Sequence, residues 1–266
     1  MEKISLPSTI TVTPGEQRNE AVISIQPCFP GYGTTLGNAL RRVMLSSLPG
    51  GAVTSFKVKG VSHEFTTVPN VKEDVVEITL NLKQLNIKVH STEPVRLKLK
   101  AKGEKEVTGK DIEKNADVEV VNPDLVIATL TSKDAELEME LVVNQGRGYV
   151  PTEAKEKENT ETDMIVIDSI YTPIRNVGFR VENVRVGQMT NYESLVMTVE
   201  TDGTITPEEA LSQANQVLID HFNFIAEQAP VSVVSDEPVK KTVKKRKSKA
   251  DKEAMESEMV SEEEKE

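Results

Sequence analysis

The sequence predicts an α+β fold in which two amphipathic helices, near opposite ends of the ordered chain, flank a separate and mostly β region. Residues 51–171 are dominated by short β-branched segments, which are typical of strands. Apolar residues at helical spacing instead fill the stretches that follow Gly33 and Thr206. From Ala229 onward the composition shifts to charged residues with almost nothing bulky. Because such a segment buries little apolar surface, we expect residues 229–266 to form a disordered charged tail.

The N-terminal stretch predicts two strands and then a helix. Residues 9–12 and 21–25 are β-branched, and each of these segments is bounded by a proline. We expect a threonine N-cap to open the helix after Gly33, and the Pro49-Gly50 pair to close it.

This first helix has two distinct faces. Asn38, Arg42 and Leu45 share one face at spacings of four and three residues. A helix with apolar residues on two sides is usually covered on both, which favours a partner surface; a wide core-facing stripe is the alternative. The other face is lined by Leu36, Leu40, Val43, Met44 and Ser47.

After this helix the sequence predicts a β-rich block with one helical interruption, at residues 71–85. Residues 136–141 alternate between polar and apolar side chains, as expected of a strand with one buried face. Polar residues predict loops at 144–148 and 152–163. The strands are expected at residues 52–59, 86–90, 94–100, 117–121, 125–130, 136–143, 164–170, 177–186 and 192–200.

The last ordered segment predicts a helix of about 20 residues, roughly 30 Å long. It opens with a capping box at residues 206–209 and has proline at its first helical position. Its apolar seam either packs on the protein's own sheet or pairs with another helix, including the same helix of a second copy. His221 lies on the seam and is interpreted as a packing histidine with a satisfied hydrogen bond. The seam consists of Ala210, Leu211, Ala214, Val217, Leu218, His221, Phe222 and Ile225.

Composition excludes several classes of protein. The chain has 266 residues and a net charge of −11, and residues 1–228 are too acidic to form a DNA-binding surface by charge alone. The single cysteine, Cys28, excludes an internal disulfide and a cysteine-rich zinc site, and the three histidines lie far apart. No apolar run approaches the ~20 residues of a membrane span, and the first residues have no apolar stretch of signal-peptide length. We therefore expect a cytoplasmic protein with no metal, cofactor or membrane contact.

The tail contains a lysine-rich block at residues 240–252. We interpret this block as part of a solvated linker. The alternative is a non-specific phosphate-binding arm, whose attraction the acidic residues that follow would partly cancel.

Nothing in the sequence predicts catalysis by this chain alone. Gly31, Gly33 and Gly37 follow a strand and open a helix, which invites a dinucleotide-binding interpretation. The dinucleotide fingerprint needs its third glycine one position earlier, where the sequence has Leu36. The sequence has no phosphate-loop or nucleophile-elbow motif, and the loop at residues 146–151 is interpreted as a tight turn.

The longest motif, LGNALRRVMLSSLPG, occupies residues 36–50 and follows Gly31-Tyr32-Gly33. Further motifs follow in order at residues 60–65, 73–78, 80–83, 146–151 and 201–210. Together they resemble the α-subunit family of bacterial DNA-directed RNA polymerase. The similarity covers about residues 1–228, and several long motifs in the same order make it specific.

The resemblance implies a discontinuous fold. Residues 1–49 and 172–228 would form a dimerisation subdomain, a sheet with two helices, and residues 50–171 a β-rich insert subdomain between its halves. This division agrees with the order of elements predicted above. The implied dimer-interface residues are Leu36, Leu40, Val43, Leu211, Ala214, Leu218 and Phe222.

The same resemblance implies a function in transcription. An α homodimer nucleates assembly of the polymerase, with one protomer engaging the β subunit and the other β′, and omega and sigma complete the holoenzyme. Nucleotidyl transfer and its metal-binding carboxylates belong to the assembled enzyme, so this subunit is expected to be non-catalytic. Arg42 is the expected key contact with β, because the guanidinium fork can pair with a carboxylate or with backbone carbonyls. The implied large-subunit contacts are Asn38, Arg41, Arg42, Leu45 and Arg147, with residues 172–180 as a further contact region.

Members of the family usually continue through a linker into a small helical domain that binds promoter DNA. Residues 229–266 are too few and too charged for that domain, so either the lineage lacks it or the chain is a shortened form. DNA contact is then expected only through the complex. Two other interpretations stay open: a nucleotide-binding enzyme that uses the loop at residues 31–37, and a dimeric adaptor unrelated to transcription.

Overall fold

Antiparallel sheets dominate the structure, and the predicted α+β fold class is confirmed. The computed structural model describes residues 4–155 and 163–228, so the predicted tail lies outside the described residues. The described chain up to Ala226 forms one compact unit. Its helices are α1 (Tyr32–Ser47), α2 (Val75–Lys83), α3 (Thr152–Lys155) and α4 (Pro207–Gln228), with a short 3₁₀ turn at Gly109–Asp111.

The strands mostly follow the predicted segments. Neighbouring strands in the described chain pair antiparallel throughout. They are β1 (Thr9–Pro14), β2 (Glu20–Cys28), β3 (Pro49–Val58), β4 (Ile87–Val89), β5 (Val95–Lys102), β6 (Lys105–Thr108), β7 (Val118–Val120), β8 (Val126–Leu130), β9 (Glu136–Arg147), β10 (Tyr149–Val150), β11 (Ile165–Val166), β12 (Ser169–Ile170), β13 (Ile174–Val186) and β14 (Met189–Thr201).

The first sheet brings together strands from the two ends of the described chain, in the order β1-β2-β14-β13. Alternate residues of β2 are buried, because one face of the strand is covered. These residues share a hydrophobic cluster with Leu40 and Met44 of α1 and with Leu211 of α4. The two amphipathic helices, distant in sequence, therefore contribute to one core.

The second sheet has the order β5-β9-β3-β4-β7, and β11 pairs with β3 at its side. Its hydrophobic cluster is drawn from residues 53–167, separately from the first cluster. The alternation predicted for β9 is confirmed: Leu137, Met139 and Leu141 are buried between partly or fully exposed glutamates. α2 adds its own buried face to this cluster.

Two predictions for this region are wrong in detail, and one strand was not predicted. Residues 144–147, expected as a loop, extend β9, because they pair with the start of β3 and place Arg147 opposite Pro49. The strand expected at residues 164–170 is broken into β11 and β12. β6, with the sequence KEVT, carries too little apolar character to be recognised and is stabilised by pairing with β8.

Side-chain caps determine where two helices begin. Asp74 Oδ1 accepts a hydrogen bond from the Glu77 backbone N–H at 2.7 Å, so α2 starts at Val75 and not at residue 71. The capping box predicted for α4 is confirmed. The Glu209 N–H donates to Thr206 Oγ1 at 3.2 Å, and the Thr206 N–H donates to the Glu209 carboxylate at 3.0 Å.

Candidate interaction surfaces

The N-terminus of α1 is capped by a carboxylate from a distant strand. Gly31 is the N-cap residue, with φ of 86°, and has no side chain to accept a hydrogen bond. Glu193 of β14 accepts the Gly31 N–H through Oε1 and the Gly33 N–H through Oε2, both at 2.8 Å. The threonine N-cap predicted from the sequence is therefore wrong.

The glycines of α1 allow the helix to approach the sheet closely. A Cβ on Gly37 would lie 2.6 Å from the Phe179 ring and 2.9 Å from the Leu195 side chain. A Cβ on Gly33 would lie 2.8 Å from the Glu193 carboxylate. Helix–sheet packing thus explains the glycine spacing that suggested a dinucleotide site. The amides that would bind a phosphate are already bonded to a carboxylate, which argues against that interpretation.

The face of α1 that carries the predicted large-subunit contacts is open. Arg42 is exposed, and within the described chain no hydrogen bond or ion pair engages its guanidinium. The neighbouring Arg41 instead donates from Nε to the Val177 carbonyl of β13 at 3.0 Å. Asn38 is exposed and bonds within the helix, and Leu45 is partly buried against the first core. Of the three predicted contact arginines, Arg41 thus uses one donor inside the protomer, whereas no hydrogen bond or ion pair engages the guanidinium of Arg42 or Arg147 within the described chain.

Arg147 lies beside the C-terminal end of α1. It ends β9 and pairs with Pro49, two residues after the end of the helix. The following Gly148 has φ of 64°, and a Cβ on it would lie 3.6 Å from the Ser46 carbonyl. The turn predicted at residues 146–151 therefore places an exposed arginine at the end of the helix that carries Arg42.

Residues 172–180, a further predicted contact region, pack in the first core and are hydrogen-bonded to the segment between α2 and β4. The Arg175 guanidinium donates to Asn86 Oδ1 at 3.2 Å, and Asn86 Nδ2 donates to the Asp202 carbonyl at 2.7 Å. Burial raises the pKa of the Asp202 carboxyl, although hydrogen bonds from Thr204 oppose this shift. Hydrogen bonds within the protomer thus engage the Arg175 guanidinium and the Asn86 side chain next to it.

The predicted dimer residues fall into three groups. Leu40, Leu211 and Ala214 are buried in the protomer's own core, so their contact with a second copy stays a prediction. Three more are partly buried beside this core, and Phe222 is 63% exposed. The partly buried residues are Leu36, Val43 and Leu218.

The α4 seam therefore divides in the middle. Its N-terminal half packs inside the protomer, whereas its C-terminal half leaves large apolar side chains in contact with solvent. His221 is also exposed, and its Nδ1 lies 2.7 Å from the Val217 carbonyl, so its predicted hydrogen bond exists but its packing does not. The exposed apolar residues of the seam are Phe222 and Ile225, and Ile219 and Phe224 are exposed apolar residues of the same helix end outside the seam.

Sequence reasoning missed a polar network centred on Asp168. Its carboxylate accepts hydrogen bonds from Thr152 Oγ1 at 2.6 Å and the Thr152 N–H at 2.9 Å, and it pairs with Lys83 Nζ at 2.9 Å. Thr152 and Lys83 hold the pKa of Asp168 well below its usual range. The network connects α2 and α3 to the start of β12. No local sequence motif around Asp168 predicts it.

The outer face of the second sheet carries a row of ion pairs. Glu138 of β9 pairs with Lys100 of β5 at 2.6 Å and with Lys59 at 3.0 Å. Hydrogen bonds from these two lysines lower the pKa of Glu138 to about 2. Because the pairs are exposed, they contribute little to stability and mainly prevent like charges from facing each other.

Neither a metal centre nor a membrane-crossing helix is found in the described chain. No group of three or more histidine, cysteine or acidic side chains there could hold a metal ion. None of its helices is both long and apolar enough to cross a membrane. Cys28 is buried, and this burial raises the pKa of its thiol.

Comparisons with known proteins agree with this architecture. A sequence family described as "RNA polymerase Rpb3/RpoA insert domain" matches residues 56–172. Among curated relatives, three proteins named DNA-directed RNA polymerase subunit alpha are similar to this chain. That of Alkaliphilus oremlandii is 53% identical over 200 residues, that of Symbiobacterium thermophilum 50% over 222, and that of Oceanobacillus iheyensis 45% over 249.

The matches extend over most of the chain. They cover 75%, 84% and 91% of its residues, and 63%, 69% and 79% of the respective relatives. The chain therefore spans somewhat less than two thirds of the first relative and more of the other two. Identity of this level over more than two thirds of two relatives shows common descent and a common fold. The chain belongs to the family of DNA-directed RNA polymerase α subunits.

Proposed function

We propose that this chain acts as a homodimer on which the β and β′ subunits of DNA-directed RNA polymerase assemble, in the cytoplasm. Family membership supports the transcriptional role. The single observation that supports the contact with the β subunit is the exposed Arg42 on α1. Nucleotidyl transfer belongs to the assembled enzyme. This subunit holds partners and carries no catalytic residue.

Two separate hydrophobic clusters support a division of the protomer into two subdomains. The first draws on residues on both sides of the second in the sequence, as a discontinuous dimerisation subdomain (residues 1–49 and 172–228) requires. The second lies within residues 50–171, the proposed insert, which contain nearly all of the matched family region.

The exposed end of α4 supports dimerisation. Phe222 and Phe224 are each more than 60% exposed, and Ile219 and Ile225 accompany them. Large apolar side chains grouped on one helix end gain free energy when a partner removes them from water, about 25 cal/mol per Å² of apolar surface. A second copy offers the same surface, so a twofold contact is self-complementary.

The chemistry of Arg42 supports the contact with a large subunit. A guanidinium offers donors in a fixed planar fork, which suits a carboxylate or a pair of carbonyls on a partner. Arg41 already donates from Nε to the Val177 carbonyl inside the protomer, whereas Arg42 has every guanidinium donor available to a partner. Arg147 is a second exposed arginine, beside the C-terminal end of the same helix.

An affinity pull-down from native lysate tests the proposal. Tagged wild-type chain is expected to retain two very large subunits, identified by mass spectrometry, and Arg42→Ala to retain less of β at unchanged thermal stability. Arg42→Lys, which keeps the charge but loses the fork, should retain an intermediate amount. The control is Arg18→Ala, since Arg18 is an exposed arginine in the turn between β1 and β2.

The outcomes separate the competing functions. A folded, dimeric wild type that retains neither large subunit would overturn the proposal, and other retained proteins would indicate an adaptor of another kind. Equal loss with Arg18→Ala and Arg42→Ala would show a general charge effect and remove Arg42 from the contact.

A further inference from the structure

The carboxylate that caps α1 points to a role beyond local stability. We propose that Glu193 is a positioning residue for the large-subunit contact: it holds the N-terminal end of the helix that presents Arg42. This inference rests on the proposed function. Glu193 lies on β14 and contacts α1, but it is not one of the predicted large-subunit contacts.

The local architecture brings Glu193 to the turn between β2 and α1. Glu193 lies opposite Cys28, the last residue of β2, and the register of β14 against β2 shifts between Glu193 and Leu195. Such a shift re-aims a side chain relative to a regular strand. Beside this point the Phe29 ring packs edge-on against Tyr32 and Tyr192, with centroid distances of 6.1 and 6.2 Å. The turn is therefore held by both a carboxylate and an aromatic cluster.

No group within α1 can replace the hydrogen-bond acceptor that Glu193 of β14 provides at the start of the helix. The N-cap residue is glycine, and the first turn of α1 contains no acidic side chain. Each oxygen of the Glu193 carboxylate accepts one backbone N–H, from Gly31 and from Gly33. A negative charge here also interacts favourably with the positive end of the helix dipole. Removing the carboxylate leaves two amides and the helix end without their acceptor.

The helix is anchored at a second point, on the neighbouring strand. Arg41 donates to the Val177 carbonyl of β13 at 3.0 Å, while Glu193 of β14 holds the first turn. Two anchors about ten residues apart define both the axial position and the rotation of α1. Arg42 directly follows the Arg41 anchor, so its direction depends on that rotation. A planar fork needs a set direction to bond bidentately, and a loosened helix weakens the contact without removing any contacting atom.

The test compares variants of this chain in their affinity for the β subunit from the same genome, at a temperature well below the melting temperature of every variant. We expect Glu193→Ala to weaken capture of β about tenfold while the protein stays folded and dimeric, a loss in the range of one helix cap. Glu193→Gln, which keeps one oxygen acceptor, should lose less. Thr206→Ala is the matched control, because it removes the cap of α4. It should lower the melting temperature comparably and leave the affinity for β unchanged.

A double variant separates positioning from general stability. If Glu193 acts through Arg42, then Glu193→Ala should cause little further loss of affinity when Arg42→Ala is already present. The inference would be overturned if the losses of affinity for β in the two single variants add fully in the double variant, or if Glu193→Ala binds β like wild type. In either case, weaker binding by Arg42→Ala alone would leave the proposed function standing. Should Glu193→Ala not fold, the same criteria apply to Glu193→Gln. A wild type that captures no β subunit would overturn both.

Discussion

Asp168 illustrates how one half-buried carboxylate joins three elements. It accepts two hydrogen bonds from Thr152 and pairs with Lys83, and its charged form is stabilised by all three interactions. Tyr149 lies close enough that the Asp168 charge contributes to a raised pKa of its phenol, after the larger effect of desolvation. The residue thus fixes the relative positions of α2 and the strands that follow Arg147.

We expect Asp168→Asn to lower the free energy of unfolding by about 1 kcal/mol near neutral pH, the usual size of a charged hydrogen bond after exposure is considered. Because the folded-state pKa of Asp168 lies below its unfolded value, near 3.9, the contribution is complete above about pH 5. It declines as the pH falls through the unfolded value toward the folded one. Urea unfolding of wild type and variant at pH 7, 5 and 3 measures this difference.

The control for that series is Asp124→Asn, because Asp124 is exposed and pairs only with Lys110 at the surface. It should change stability little at any of these pH values. A difference between wild type and Asp168→Asn that is the same at pH 7 and pH 3 would contradict the assignment.

The α1 helix is held in place by its close approach to the sheet as well as by the burial of its apolar face. We expect Gly37→Ala to destabilise the protein by about 1–3 kcal/mol, since its Cβ would lie 2.6 Å from the Phe179 ring and must displace the helix or the ring. Gly178→Ala on β13 is the control, because its Cβ would meet no atom within 4 Å. Thermal unfolding of both variants provides the comparison, and equal melting temperatures would show that α1 is not closely packed at Gly37.

At the scale of the whole molecule, the exposed half of α4 predicts the oligomeric state. We expect Phe222→Asp to weaken the dimer at least about tenfold, because a carboxylate in an apolar contact loses its hydration without gaining a partner. Since Phe222 is 63% exposed in the protomer, the protomer fold should survive. Sedimentation equilibrium measures the dimer, and circular dichroism reports the fold.

Two further variants complete this test. Leu218→Asp should also disrupt the dimer, but with some loss of protomer stability, because Leu218 is partly buried against the first core. Ser212→Asp adds the same charge at an exposed position of α4 and should leave the dimer intact. A Phe222→Asp chain that sediments like wild type would place the dimer contact elsewhere.

Short-range pattern was enough to predict much of this molecule. The alternation of β9, the capping box of α4 and the end of α1 before Pro49 all depend on residues within one or two turns or one strand face. Such signals depend on spacing and are visible in a single sequence. Residue spacing placed Arg42 on a helix face, the resemblance to the α-subunit family implied its role as a contact, and the structure finds it exposed on α1.

Spacing and motifs in the sequence thus predicted most of the helices and strands and the family, whereas the contacts between distant groups are seen only in the folded protein. Glu193 caps a helix that begins about 160 residues earlier in the chain, a pairing that no local pattern encodes. The α4 seam shows the same limit, because uniform apolar spacing defines a face but not how far the protein's own core extends beneath it. Ala214 is buried and Phe222 is exposed on one continuous seam. Propensity and periodicity act along the chain, whereas burial and capping depend on neighbours that only folding brings together.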